Sequence, residues 1–356
     1  MTISHPMRPK HFVATLLLLL MLACSETGTE DQALERAQRE NEQYDLVIAE
    51  KLGDSYTALP TSTLSEEDAK VKLGHVLYYD TRLSKEGNNS CNSCHNLSKF
   101  GVDQLSFSPG DAGKLGGRNS PTVLNAALHS FQFWDGRAKD VEEQAGMPIL
   151  NPIEMAIPSK EFLMKRLSET ELYPSMFKAA FPSDPAPLTY ANLQKAIGAF
   201  ERTLVTPSRF DKYLAGDKTA LTVQEKKGLV TFFNVGCNTC HNGTLFGGNQ
   251  FQKFGVHDDY WKYTGSKVID KGVFDLTKDE TKMYVFKVPT LRNVEHTYPY
   301  FHDGSVKDLK EAVKIMATTQ LKYDLSDSEA EKLVAFLKAL TGEVPTFAQT
   351  TPTVLQ

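Results

Sequence analysis

Stretches of helical periodicity in this chain alternate with short segments rich in glycine, proline or polar residues. An apolar run from Phe12 to Leu22 follows Arg8, Lys10 and His11 and reads as a secretory leader over residues 1–23. Residues 25–45 are polar and charged, which predicts a flexible or loosely helical stalk. From about Leu64 the pattern turns helical, opened by Ser65-Glu66-Glu67-Asp68 and continued by Val71, Leu73, Leu77 and Tyr78. Glycine and asparagine crowd residues 101–120, a loop. Pro182, Pro185 and Pro187 mark a break before a helix expected over Thr189–Thr203. Two more helices follow, one beginning near Val306 and an amphipathic one over Asp327–Leu340. The expected class is mostly α.

The pattern also repeats. Ser120-Pro121-Thr122-Val123-Leu124-Asn125 and Phe133-Trp134-Asp135-Gly136 return as Val288-Pro289-Thr290-Leu291-Arg292-Asn293 and Phe301-His302-Asp303-Gly304. Order, spacing and flanking residues all agree, so duplication of one unit is the economical account.

Each half carries Cys-x-x-Cys-His: Cys91, Cys94 and His95, then Cys237, Cys240 and His241. Two thiols within one helical turn can each add to a haem vinyl group, and the adjoining histidine then lies under the iron. A zinc site needs its second pair across a short loop, and a redox dithiol has no use for the histidine. The expectation is two covalently attached haem c groups on two cytochrome-c-like domains related by internal duplication.

Length and charge add limits. With 356 residues there is room for two cores, and a formal charge of -5 argues against nucleic-acid binding. Four of the five cysteines belong to the haem motifs. The fifth, Cys24 after Leu22-Ala23, resembles a lipobox, with ordinary cleavage near Ala23 as the alternative. A lipidated Cys24 followed by Ser25 implies a periplasmic protein tethered to the outer membrane.

Differences between the halves mark where chemistry belongs. A haem that only carries electrons is usually six-coordinate, and one that reacts keeps a face open. Met316 is the candidate distal ligand in the second half, with Met283 as the other methionine considered. In the first half Met147 is followed by Pro148, which disfavours a continuing ligand helix. Glu154, within Asn151-Pro152-Ile153-Glu154-Met155, could move the peroxide proton, although a lone glutamate is more commonly a surface group.

These residues resemble the bacterial di-haem cytochrome c peroxidases from about Leu73 to Gly342. The resemblance is carried by Arg118–Asn125, Gln132–Arg137, Asn151–Met155, Lys287–Asn293 and Tyr298–Gly304. It implies hydrogen peroxide as substrate, a small periplasmic cytochrome c or cupredoxin as donor, and a homodimer. His95 and His241 are then the proximal ligands and Met316 the distal ligand of the second haem. Glu154 and Gln144 assist peroxide cleavage, and Trp134 lies between the haems. Asn119, Thr297 and Pro299 match an inter-domain calcium site of hard oxygen donors.

One departure stands out. Asp111 occupies the place where many relatives carry a histidine that caps the first iron, and it is expected to be solvated. The implied organisation is leader (1–23), lipidated cysteine and polar tether (24–60), peroxidatic haem domain (61–205) and electron-transfer haem domain (206–345). Two other readings remain: an enzyme that oxidises a protein substrate, like that of methylamine utilisation, where tyrosine replaces Met316, and a pure electron carrier ligated by Met147.

Overall fold

The computed structural model describes residues 12–356, with side chains from Gln32 onward. The first eleven residues of the expected leader and the side chain of Cys24, with its lipidation, therefore lie outside what is described. In order, the helices are α1 (Phe12–Leu52), α2 (Ala69–Tyr79), α3 (Cys91–Cys94), α4 (Val141–Leu150), α5 (Lys160–Ser168), α6 (Leu172–Ala180) and α7 (Tyr190–Glu201). They continue as α8 (Arg209–Leu214), α9 (Val223–Val235), α10 (Trp261–Thr264), α11 (Val273–Thr277), α12 (Leu309–Leu321) and α13 (Asp327–Lys338). The short strands β1 (Phe251–Lys253) and β2 (Val285–Lys287) pair antiparallel, Gln252 opposite Phe286. No helix among the described residues is long and apolar enough to cross a membrane.

Capping fixes where the helices begin. Asp68 accepts from the amides of Lys70 and Val71, Thr189 from Asn192, Asp140 from Glu143, Asp308 from Glu311 and Ser326 from Glu329. Each acceptor satisfies an amide that has no partner within its own helix.

The two halves are built on the same helix crossing. In the first, Gly74 of α2 lies so close to α7 that a Cβ there would sit 1.9 Å from the Ala196 carbonyl oxygen and 2.8 Å from Phe200 Cβ. In the second, Gly228 of α9 meets Lys332 O and Phe336 Cβ of α13 at the same 1.9 and 2.8 Å. Only glycine permits that approach. Around these crossings lie apolar cores, with Leu73, Leu77, Leu193 and Ile197 buried in one and Leu229, Phe232, Leu333 and Phe336 in the other.

Between the halves, Thr206 is the joint. Its buried hydroxyl accepts from Nδ2 of Asn125 and from Nδ2 of Asn293, both at 2.8 Å. Both asparagines adopt left-handed backbone, φ 59° and 60°, and each starts a short 3-10 turn. The oxygen of each side chain accepts in turn, Asn125 from Thr206 N and Asn293 from Gly342 N, both at 3.0 Å.

The tether reading for residues 24–60 needs correction. The end of α1 is no loose stalk: Ile48, Leu52 and Tyr56 are buried in the second core. Lys226 of α9, fully buried, reaches Asp45 and Asn41 at 2.7 Å each, and Tyr213 donates to Asp45. Polar residues on one helix face left the apolar stripe at Tyr44, Ile48 and Leu52 unread. At the other end the chain crosses back. Val344 and Ala348 are buried with Val71, Tyr78 and Phe200 of the first half, and Tyr79 donates to the Ala348 carbonyl at 2.7 Å.

Thr206→Val keeps the volume but removes the acceptor shared by two buried amides. The expected cost is about 2–4 kcal/mol, read as a lower denaturant midpoint of the haem-loaded protein with an unchanged spectrum.

Candidate haem and peroxide site

Both Cys-x-x-Cys-His segments fold as single turns in which the histidine amide bonds the carbonyl of the first cysteine, at 3.0 Å for His95 to Cys91 and 2.9 Å for His241 to Cys237. Ser90 and Ser93 cap the first turn reciprocally. Burial pushes the Cys94 thiol up to about 11 and that of Cys237 up to about 12, so both stay neutral.

The two imidazoles are held differently. His241 Nδ1 lies 3.0 Å from the Phe246 carbonyl, which must accept, so Nε2 keeps its lone pair for a metal. At His95 the carbonyls of Gly101 and Pro121 face the ring without reaching hydrogen-bond geometry, and Nδ1 is buried without a partner. Burial lowers the pKa of both rings, and these carbonyls oppose it only in part. Pro121 and Pro289, equivalent in the repeat, each turn a carbonyl toward their histidine. Hydroxyls brace the histidine backbones, Tyr78 donating to His95 O at 2.6 Å and Tyr56 to His241 O at 3.4 Å.

A large apolar cavity opens at His241. Cys237, Cys240, Met316, Phe254, Leu333 and Trp134 are among its lining residues. A planar tetrapyrrole fits this chemistry, with thiols on one edge, an imidazole Nε2 free and a thioether in the wall. Met316 sits eight residues after the α12 cap Asp308; eight residues after the α4 cap Asp140 stands Pro148. Met147 is one step round the helix and 37% exposed. Neither Met155 nor Met283 plays such a part: Met155 is core, and Met283 caps a short turn away from the lining.

Trp134 is clamped between the halves. Its indole N–H donates to the Asn119 carbonyl at 2.8 Å, and its own carbonyl accepts from the amide of Lys287 in β2 at 2.7 Å. Asn119, Thr297 and Pro299, the three expected calcium donors, are among the residues lining this cavity, and Asn119 Nδ2 donates to the Leu105 carbonyl at 2.9 Å. Among the described residues no cluster of three or more His, Cys, Asp or Glu side chains offers a second metal site.

In the first half Glu154 is half-buried and accepts from Asn151 Nδ2 at 2.8 Å. Burial raises its pKa, while the Arg137 guanidinium and the Asn151 bond oppose the rise. Its charge contributes to the raised pKa of the Cys94 thiol in the first haem motif. Gln144 lies half-buried on α4. Arg137, whose guanidinium stacks 3.4 Å over the Phe133 ring, was not singled out from sequence. Its place two residues after Asp135, with which it pairs at 2.9 Å, was the available signal.

Asp111 is not the solvated carboxylate expected. Its side chain is buried and accepts from the amides of Glu86 at 2.7 Å and Asn88 at 3.4 Å, while its own amide bonds the Glu154 carbonyl at 2.6 Å. Burial alone would raise its pKa; the amides and the Ser84 hydroxyl hold it below the ordinary value. It staples two loops together beneath Glu154.

Fold and site define a helical c-type cytochrome with two haem positions. Comparison with known proteins narrows this class. Residues 68–219 match the family model for di-haem cytochrome c peroxidase. The chain is 47% identical over 290 residues to cytochrome c551 peroxidase of Nitrosomonas europaea, covering 81% of this chain and 85% of that one. It is 43% identical over 296 residues to the protein of the same name from Pseudomonas aeruginosa, covering 82% and 84%. A MauG-like protein associated with microbial copper homeostasis superposes with TM-score 0.71 at 29% identity, covering 84% of this chain and 98% of that one. The chain belongs to the di-haem cytochrome c peroxidase family.

Asp111→Asn should lower stability by about 1–2 kcal/mol at neutral pH. A carboxylate with a depressed folded pKa stabilises above its unfolded value near 3.9 and loses that contribution as pH falls through the folded one. Thermal unfolding should therefore show parent and variant converging below about pH 4.

Proposed function

We propose that this di-haem peroxidase reduces hydrogen peroxide to water with electrons from a small periplasmic cytochrome c or cupredoxin. The observation that carries the reading is the asymmetry at one helix position. Met316 stands in the wall of the second cavity where the first half has Pro148. Met316 would be the thioether ligand of a haem held at Cys237 and Cys240, whereas Pro148 could offer no ligand to one held at Cys91 and Cys94, on whose side Glu154 lies.

Two haem c groups supply the electron storage and the iron at which the O–O bond breaks. The chain's residues do the rest. Glu154, lifted in pKa by burial, takes the proton from the nearer peroxide oxygen and returns it to the departing one, with Gln144 holding the substrate. Arg137 keeps Glu154 from becoming too weak an acid. Trp134, pinned at both its indole N–H and its carbonyl, spans the gap between the centres. Two electrons, two protons and one peroxide give two waters.

The same reading assigns His95 and His241 as proximal ligands, Met316 as distal ligand, and Asn119, Thr297 and Pro299 as donors to calcium. It carries a homodimer and a lipid anchor at Cys24 on the outer membrane, supported by family resemblance and by the leader sequence respectively. The carrier alternative requires Met147 on the first iron, and the exposure of that side chain disfavours it. The protein-oxidising alternative requires tyrosine where Met316 stands.

Glu154→Gln should cut turnover by roughly 10²-fold or more with haem content unchanged. The acid limb of the rate profile, set by a carboxyl whose pKa stands above its usual value, should vanish with it. Near-parental turnover would end the assignment.

Because Asp111 is committed to backbone amides, no side chain in that loop competes with peroxide. Fully oxidised enzyme mixed with peroxide in stopped flow should react without prior reduction. Silence until one electron is added would show a capped first site.

A further inference from the structure

On the wall of the cavity at His241 lies a pair of groups that the peroxidase reading leaves unused. Lys287, at the end of β2, is buried and places Nζ 3.1 Å from His129 Nδ1 and 3.2 Å from the Phe131 carbonyl. Both Lys287 and His129 line the cavity, and His129 Nε2 is buried without any partner. The imidazole packs against Gly248, where a Cβ would stand 2.7 Å from His129 Cδ2 and 3.3 Å from Nε2.

The chemistry follows from proton counting. An ammonium has only donors, so Nδ1 facing Lys287 must be the acceptor. A neutral imidazole with Nδ1 as acceptor carries its proton on Nε2. Burial and the Lys287 charge keep the ring neutral, and burial brings Lys287 itself down to about 8, still mostly charged at neutral pH. His129 therefore carries a buried N–H with nothing to receive it, in a residue that lines a cavity whose wall also carries the Lys287 ammonium. A buried donor left unpaired costs about 1–3 kcal/mol, so the site calls for an anionic acceptor.

We propose that Lys287 and His129 form a receiving site for one carboxylate arm of the haem held at Cys237 and Cys240, with His129 Nε2–H as the direct donor and Lys287 fixing its tautomer. The inference rests on the reading that this cavity houses the second haem. The pair holds that propionate ionised across the neutral range. Other charges bear on the site: Asp135 opposes the lowering of the Lys287 pKa, and His302, also on the cavity wall, stands against Asp270, Asp303 and Arg118.

The test is the pH dependence of the second-haem potential, followed by spectroelectrochemical titration of the full holoprotein. A hydrogen bond to the ionised form lowers a carboxyl pKa, so removing the donor raises it. In His129→Leu the pH at which the potential begins to climb on acidification should move up by about one unit, a tenfold change in proton affinity. In His129→Gln, whose amide nitrogen can stand in for Nε2, the parental profile should return. Leu and Gln variants that shift alike would reduce His129 to packing against Gly248 and overturn the proposal, as would a parental profile in the Leu variant. A shift of the parental profile by added formate would place a free anion there instead and would also overturn it. The cavity reading is checked separately: Cys237→Ser/Cys240→Ser must lose one of two covalent haems by mass, and retention of both would refute that reading rather than this one.

Discussion

One hydroxyl, that of Thr206, determines how the two halves of this protein sit together. It can accept twice, and it does so from Asn125 and Asn293, which hold the same left-handed corner of each half. Each corner follows by four residues the proline whose carbonyl faces the haem histidine. The orientation of both imidazoles is thus referred to a single oxygen atom in the connecting segment. Both amides and the hydroxyl are buried, so losing this acceptor would leave two buried donors unpaired.

On that symmetric frame the electrostatics of the halves diverge. The second cavity is apolar, with a thioether in its wall and its histidine tautomer fixed by a carbonyl. Around the first motif gather a carboxyl of raised pKa, a guanidinium and a histidine whose Nδ1 has no bond. Two electrostatically different environments arise from one scaffold by exchanging few side chains. Trp134 sits where the two meet, and the halves contribute one hydrogen bond each to hold it.

Much of this was legible in the residues. The haem motifs, the helix starts near Asp68, Thr189 and Asp327, and the paired Pro-Thr to Asp-Gly segments carry their meaning locally, because spacing and helix-start chemistry act over a few residues. Helices α5, α6 and α9 were not read, since their apolar faces are short and their burial depends on partners distant in sequence. The same holds for the apolar stripe of α1, which has meaning only against α9. Asp111 was misjudged for a related reason. A carboxylate in a glycine-rich loop looks exposed until the loop folds back and offers it the amides of Glu86 and Asn88. Lys287 and His129 lie 158 residues apart, and nothing local announces their meeting.

The ends of the chain are exchanged: α1 completes the second core, and the segment from Val344 to Ala348 completes the first. Connectivity and architecture therefore disagree about what a unit is. Cutting the chain at Thr206 would separate two sequence repeats but would leave each without a piece of its own wall. The peptide that seats Phe347 against His75 and Phe200 would leave with the wrong partner. Such a molecule resists being shuffled into other proteins as a cassette. Its two centres are inherited together, and evolution must adjust them as one object.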